Sequence, residues 1–345
     1  MRTLIIAPDS LADAVMAQSL AALLQQQAPE AQIAVLAGPE AAPVCACYPG
    51  LARLLSTEVP FEQLSVWALL RWARTLRAFR HDRVFLLSRA RRAAWLLGLT
   101  GIRRVHRLEA GQPAAHIEGS VDTRAVPARP LTVERFAQLA FEPGQPLPGP
   151  VTNPVLRPDP IGLAAMHPRL GMGRSARILA LCVAAEAGPA HRWPSRHWAS
   201  LITQIREIAP RLTPVLLGHS ADRDFGTEIA ALCGGAAVNL CGGARLTDTL
   251  GLIAQAEAVV SHDCGLMHAA AAFGRPLVAL YGPSDPRTFP PRSARARVLW
   301  QPMRCSACTD PVCQENHGQC LAAIRPETAL SALLDSLGRL QRDIR

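Results

Sequence analysis

Short apolar runs alternate along the chain with longer segments in which apolar residues recur every three or four positions. The short runs are typical of buried strands, and the longer spacing is typical of helices with one apolar face. In the first half, the pattern predicts strands at residues 3–7, 33–36 and 83–87 and helices at 14–27 and 61–80. The predicted apolar stripe of the second helix consists of Leu64, Trp67, Leu70, Leu76 and Phe79.

The second half repeats this alternation more clearly. It predicts strands at residues 178–183, 213–217, 258–261 and 277–280 and helices at 194–208, 222–232, 246–256, 265–273 and 326–340. Strands that alternate with helices are typical of a parallel sheet covered by helices on both faces. We therefore expect an α/β fold of two doubly wound, Rossmann-like parallel-sheet domains that face each other across a cleft.

Residues 142–160 separate the two halves. This segment is crowded with proline and glycine, which a helix or a central strand does not tolerate. We expect one domain at residues 1–155 and a second at 156–325. The remaining residues, 326–345, are expected to form a C-terminal helix that packs back on the first domain.

Charge narrows the range of partners. The 345-residue chain has a formal net charge of +9, and all 36 basic residues are arginine because the sequence contains no lysine. A GC-rich coding sequence, which an arginine-, alanine- and proline-rich composition suggests, explains this bias without a function. The functional explanation is an anionic partner, either a nucleotide diphosphate, an anionic lipid or nucleic acid. Nucleic acid is disfavoured, because aromatic residues make up only 5% of the chain and a base-stacking platform needs them.

The chain shows no targeting or membrane-spanning signal. Its first apolar run ends at Pro8, too early for a signal peptide. No stretch approaches the roughly 18 consecutive apolar residues of a membrane span. We expect a cytoplasmic protein whose membrane contact, if it has one, is peripheral.

The segment of residues 261–283 is the strongest candidate site. A predicted buried strand ends at Ser261, a short polar turn follows, and an alanine-rich helix starts near Gly265. The free N–H groups of a helix start bind anions. Asp263 and His268 each have a structural alternative, as a helix cap and as a buried histidine.

Two further strand-to-helix turns carry candidate polar and charged groups. They contain Glu186, His191 and Arg192 in the second half and Asp9, Ser10 and Asp13 in the first. The first-half turn has no Gly-x-Gly-x-x-Gly pattern, so it is not a dinucleotide loop. It suits a catalytic carboxylate, with simple helix capping as the alternative.

Together these segments resemble the bacterial ADP-heptose:lipopolysaccharide heptosyltransferases of glycosyltransferase family 9, and the heptosyltransferase II subfamily most closely. The resemblance extends from about residue 3 to residue 340 and is weak between Ser88 and Val126. The matching runs are Ser261-x-Asp263-x-Gly265-Leu266-Met267-His268, Glu186-x-Gly188-Pro189-Ala190-x-Arg192-Trp193-Pro194, and Asp13 with Met16-Ala17-Gln18-Ser19-Leu20.

The resemblance implies a GT-B architecture and an inverting transfer of heptose from ADP-heptose to the lipid A–core of lipopolysaccharide, with no cofactor required for catalysis. It also implies work at the cytoplasmic face of the inner membrane, with acceptor binding by the first domain and ADP binding by the second. Asp13 is implied to be the general base. The implied acceptor-binding residues are Ser10, Arg89 and Arg92. The implied donor-binding residues are Glu186, Ala187, His191, Arg192, Asp222, Asp263, Cys264, Gly265 and His268, with Asp222 on the ribose.

Several positions depart from the family pattern. His191 stands where the family has a phosphate-binding lysine, and the pKa of an imidazole beside a diphosphate should rise. The other departures are Ala12, Val183, Ala184, residues 88–92, His262 and Cys264. They support an alternative hypothesis: a diverged paralogue of the same fold that binds nucleotide but has an altered acceptor or little catalytic activity.

Four cysteines cluster near the C-terminus, with His317 among them. Cys305, Cys308, Cys313 and Cys320 have spacings found among metal ligands. One interpretation is a structural zinc or iron site, because a closed four-ligand site leaves no position for substrate. The other is four free thiols in a loop, or a disulfide that forms in vitro.

Overall fold

The structure is a computed structural model. It describes residues 1–107, 131–142, 144–160, 163, 166, 176–306, 308, 310–315 and 318–343. These residues divide into two compact units, the first ending at Asp159 and the second beginning at Pro160. His317 lies outside the described residues.

The first unit is built on a five-stranded parallel sheet with the strand order β3-β2-β1-β4-β5. Its strands are β1 Arg2–Ile6, β2 Gln32–Ala37, β3 Arg53–Ser56, β4 Arg83–Leu86 and β5 Val105–Arg107. Its helices are α1 Leu11–Gln27, α2 Ala42–Cys45, α3 Val66–Ala78, α4 Arg91–Thr100 and α5 Thr132–Gln138.

The second unit is built on a six-stranded parallel sheet with the strand order β11-β10-β9-β6-β7-β8. Its strands are β6 Arg177–Cys182, β7 Leu212–Leu217, β8 Val238–Asn239, β9 Ala258–His262, β10 Leu277–Tyr281 and β11 Ala296–Trp300. Its helices are α6 Ser195–Ile208, α7 Arg223–Leu232, α8 Leu246–Gln255, α9 Gly265–Ala272, α10 Gln319–Ala322 and α11 Pro326–Asp343.

The predicted α/β architecture of two parallel sheets is confirmed. Every residue of β9 and β10 is buried, because helices cover both faces of the central strands. Buried aliphatic residues and the two tryptophans Trp193 and Trp198 fill the core of the second unit. None of the described helices is long and apolar enough to cross a membrane.

The helix predicted at residues 61–80 differs from the observed structure. Residues Phe61–Gln63 form one turn of 3-10 helix, and α3 begins only at Val66, where the Ser65 hydroxyl accepts a hydrogen bond from the Ala68 N–H. The buried face of α3 consists of Leu69, Ala73 and Leu76. The predicted apolar stripe was therefore wrong for Trp67 and Leu70, which are 81% and 41% exposed.

The predicted C-terminal helix is confirmed at Pro326–Asp343. Ala329 and Leu333 of α11 are buried in the core of the second unit, against α6 and the sheet. The helix belongs to the second unit. Its apolar face is buried there, and the expected packing on the first domain stays a prediction.

Candidate active site

In the first unit, the candidate residues meet where two neighbouring strands end. Asp9 follows β1 and Ser88 follows β4, and these strands pair in parallel in the centre of the sheet. The Ser88 hydroxyl donates a hydrogen bond of 2.8 Å to Asp9 Oδ2. The strand order reverses between β1 and β4, because β2 and β3 lie on one side of β1 and β4 and β5 on the other. Open α/β sheets bind ligands at such positions.

Asp13 lies in the first turn of α1. Its backbone N–H donates to the Ser10 hydroxyl at 3.1 Å, so Ser10 is the helix N-cap that the capping alternative required. Burial raises the pKa of the Asp13 carboxyl, while the hydrogen bond with Ser10 and the charges of Arg89 and Arg135 lower it. A carboxylate with a raised pKa accepts a proton more readily and suits a general base.

The structure brings Arg89 to Asp13 and directs Arg92 elsewhere. Arg89 is exposed and its charge acts on Asp13, whereas the Arg92 guanidinium donates to the Leu64 carbonyl. Arg135 is a neighbour of Asp13 that the candidate set omitted. It arrives on α5, which packs against α1, and no local pattern in the sequence connects the two residues.

In the second unit, Glu186 connects the loops that follow β6, β7 and β9. Its carboxylate lies 3.4 Å from the Gly265 N–H at the start of α9 and 3.4 Å from His219 Nε2. Ala187 follows it and is exposed. Cys264 occupies the N-cap position of α9 without a side-chain cap, and burial raises the pKa of its thiol to about 12. Glu186 therefore accepts from the free amide at the helix start, and the capping alternative for Asp263 was wrong.

His268 is buried beside this helix start, and the partly exposed Asp263 lies near it. Burial raises the pKa of Asp263 to about 6 and lowers that of His268 to about 3. His268 Nε2 lies 4.0 Å from the Asp263 carboxylate, and the imidazole packs edge-on against Phe289. Neither ring nitrogen of His268 has a hydrogen-bond partner among the described residues. An unpaired buried imidazole is uncommon in proteins and is chemically suited to a polar ligand.

Arg192 and Asp222 form an ion pair of 2.9 Å. The second oxygen of Asp222 accepts from the His219 N–H at 3.0 Å, so protein donors occupy both oxygens of this buried carboxylate. Asp222 thus fixes the position of Arg192, a contact that the sequence did not indicate. His191 precedes Arg192 in the chain and is buried, and this burial lowers the pKa of its imidazole in the ligand-free protein.

His262 joins the two donor-side segments, a role that its position in the sequence did not reveal. Its Nε2 accepts a hydrogen bond of 2.7 Å from the Trp193 backbone N–H. The proton of the neutral ring is therefore on Nδ1, which donates to the Ala184 carbonyl at 3.3 Å. Burial lowers the pKa of this imidazole to about 4. One neutral side chain thereby ties the loop carrying His191 and Arg192 to the strand that precedes Asp263.

The four C-terminal cysteines lie near one another. Burial raises the pKa of Cys320, and the neighbouring thiols Cys305, Cys313 and Cys308 raise it further. Within the part of the chain that the structure describes, no group of three or more His, Cys, Asp or Glu side chains is arranged to hold a metal ion. The thiols as placed do not fit a metal site, so the metal interpretation stays a prediction.

Known proteins resemble this chain in both sequence and fold. Residues 69–318 match the model of glycosyltransferase family 9 (heptosyltransferase). Lipopolysaccharide heptosyltransferase 2 of Escherichia coli strain K12 is 33% identical over 309 residues, covering 87% of this chain and 88% of that protein. Lipooligosaccharide heptosyltransferase 2 of Haemophilus influenzae is 31% identical over 316 residues, with the same two coverages.

The solved structure of the E. coli ADP-heptose lps heptosyltransferase II superposes on this chain with a TM-score of 0.79 at 30% identity, covering 99% of this chain and 100% of that one. Two parallel-sheet α/β units with this likeness define a glycosyltransferase of the GT-B class. The chain belongs to glycosyltransferase family 9, the heptosyltransferases. The resemblance carried by its motifs is confirmed.

Proposed function

We propose that the protein transfers heptose from ADP-heptose to the inner core of lipopolysaccharide. The names of its relatives, which include lipopolysaccharide heptosyltransferase 2 and ADP-heptose lps heptosyltransferase II, support the donor and the lipopolysaccharide acceptor. The environment of Asp13 carries the proposal: a half-buried carboxylate of raised pKa next to Arg89, at the edge where β1 and β4 end. In this proposal the first unit binds the acceptor through Ser10, Arg89 and, in another side-chain position, Arg92.

The proposed reaction is an inverting displacement. Asp13 takes the proton of the acceptor hydroxyl as its oxygen attacks the anomeric carbon of the heptose. The bond from that carbon to the diphosphate oxygen breaks with its electron pair, and ADP leaves. The transition state has oxocarbenium character, as in glycoside chemistry generally. Positive groups and free amides stabilise the charge on ADP, and the proposal assigns no step to a metal.

The second unit is proposed to bind the donor. The amides at the start of α9 and the guanidinium of Arg192 suit a diphosphate. The carboxylate of Glu186, which lies on the Gly265 N–H, would move aside or bind the sugar when the phosphate arrives. His191 would take up a proton on binding, because a diphosphate favours the charged imidazole. The full proposed donor set is Glu186, Ala187, His191, Arg192, Asp222, Asp263, Cys264, Gly265 and His268.

The first prediction concerns Asp13. Asp13→Asn should lower kcat by about a hundredfold or more, because the amide cannot accept the proton, while the Kd for ADP stays within about twofold. Transfer to a heptosylated core acceptor is measured by mass spectrometry, and ADP binding by calorimetry. Glu30→Gln, at an exposed residue beyond the end of α1, is the matched control and should have wild-type activity. Undiminished transfer by Asp13→Asn would contradict the assigned base.

The same assay tests the alternative of a nucleotide-binding paralogue with little activity. The neutral state of buried His191 favours that alternative, since the ligand-free site lacks one positive charge that the family pattern supplies. It predicts ADP binding without transfer or donor hydrolysis by the native protein. Multiple turnovers of the native protein with ADP-heptose would rule out this alternative.

A further inference from the structure

Two tryptophans of the first unit lie open to solvent. Trp67 in α3 is 81% exposed and Trp95 in α4 is 61% exposed. Tryptophan carries a large apolar ring with one polar edge, and exposed examples are concentrated at protein and membrane interfaces. Val66 and Leu70 add exposed apolar surface to the same part of α3.

The two tryptophans lie on adjacent helices. At the start of α4, the Arg91 N–H donates to Glu62 and Arg92 donates to the Leu64 carbonyl, just before α3 begins. At the other end, Arg77 of α3 donates to carbonyls in the last turn of α4. The helices therefore run side by side in the same direction. Trp67 and Trp95 are both in the N-terminal halves, on the sides opposite the buried residues.

Arginines share this surface with the tryptophans. Arg71 and Arg74 are exposed at positions four and seven residues after Trp67, on the same side of α3, and exposed Arg91 precedes Trp95 by one turn of α4. Neither helix contains an aspartate or a glutamate. We call this surface the α3–α4 face, defined by Val66, Trp67, Leu70, Arg71, Arg74, Arg91 and Trp95.

The α3–α4 face adjoins the proposed acceptor site. Ser88, which bonds to Asp9, and Arg89, whose charge acts on Asp13, immediately precede α4 in the chain. Under the proposed function the acceptor is a lipid-anchored saccharide, so this end of the unit must approach a lipid surface during transfer.

We propose that the α3–α4 face binds an anionic lipid surface, with Trp67 and Trp95 at the headgroup level and Arg71, Arg74 and Arg91 on lipid phosphates; the proposal rests on the proposed function. Amphipathic tryptophan rings and nearby arginines are the combination that binds anionic membranes peripherally. A second copy of the same face is disfavoured as the occupant, because its three arginines outnumber the one neighbouring carboxylate, Glu62, and two such surfaces would repel each other.

The test is sedimentation of the full chain with vesicles of phosphatidylcholine, with and without about one third phosphatidylglycerol. Trp67→Ser/Trp95→Ser should weaken binding to anionic vesicles about tenfold or more. Arg71→Gln/Arg74→Gln should weaken it by roughly fivefold for each charge removed and reduce its dependence on salt. The matched controls are Ile208→Ser/Leu232→Ser and Arg196→Gln/Arg211→Gln, which change exposed residues of the second unit and should bind like wild type.

Further readouts separate this proposal from the proposed function. All variants should retain the wild-type circular dichroism and ADP affinity, and transfer to a deacylated core acceptor should be unchanged while transfer to a vesicle-embedded acceptor falls. Vesicle binding without any transfer would contradict the proposed function and leave the lipid face supported. Wild-type vesicle binding by the tryptophan variant, or a change in its oligomeric state by light scattering without loss of lipid binding, would overturn the lipid face.

Discussion

A single imidazole, His262, connects the two loops that the proposed donor site needs. Its ring accepts from the Trp193 N–H and donates to the Ala184 carbonyl, which only the neutral Nδ1–H form can do. Asparagine has a shorter side chain and spans the same gap less well. We therefore expect His262→Asn to lower the free energy of unfolding by about 1–3 kcal/mol near neutral pH and to weaken ADP binding.

The pH dependence of that loss has a defined sign. Burial lowers the pKa of His262 to about 4 in the folded protein, whereas an unfolded chain has an imidazole pKa of about 6.5. Between these values the unfolded state binds the extra proton, so wild type loses up to about 1.4 kcal/mol of stability per pH unit as the pH falls. Asparagine does not titrate. The stability gap between wild type and His262→Asn, measured by urea denaturation, should narrow from about pH 6.5 towards pH 4; a gap independent of pH would contradict this assignment.

Local sequence patterns located the polar loops but not the partners of each side chain. Asp13, Glu186 and Asp263 stand directly at strand-to-helix turns, where the chain itself places them at the sheet edge. The proximity of Arg135 to Asp13 depends on the packing of α5 against α1, and the pairing of Asp222 with Arg192 depends on how two loops converge. Tertiary contacts of this kind leave no periodic signal in one sequence.

At the scale of elements, the sequence pattern predicted the buried strands and the long helices, but it did not predict the strands at the edges of the two sheets. The central strands β1, β6 and β9 are buried because both faces of the sheet are covered, and only the first residues of β1 and β6, Arg2 and Arg177, are exposed. The edge strands β3 and β5 contain exposed residues and resemble loops. Trp67 and Leu70 were assigned to the wrong side of α3 because an apolar side chain fits equally well at a core position and at an exposed interface.

The cysteine segment before α11 offers an element-scale prediction with two exclusive outcomes. A structural metal predicts about one equivalent of zinc or iron in the purified protein, and Cys308→Ser should then lower the Tm by several degrees. Free thiols predict that Cys305, the exposed one, reacts rapidly with a thiol reagent and that Cys308→Ser leaves the Tm unchanged. Elemental analysis with thiol titration of the same sample separates the outcomes. Cys233→Ser, in a half-buried residue at the end of α7, is the control.

At the scale of the whole molecule, the alternation of strands and helices was sufficient to predict two parallel-sheet units, because each strand–helix–strand step is determined locally. Which ligand each unit is proposed to bind depends instead on the residues that its loops carry. The loops after β6, β7 and β9 carry Arg192, Asp222 and the start of α9, whereas the loop after β1 carries Asp9 and precedes Asp13. If nucleotide binds only in the second unit, its effect on the protein should be confined to those three loops.

Hydrogen exchange with mass spectrometry measures that effect directly. ADP should slow amide exchange in residues 183–193, 218–222 and 263–268, because the phosphate covers amides at the start of α9 and orders the loops beside it. The β1–α1 loop at residues 7–13 should exchange at an unchanged rate. Adenosine, which lacks the diphosphate, is the matched ligand control and should protect the start of α9 far less. Protection by ADP at residues 7–13 without protection at 263–268 would reverse the roles proposed for the two units.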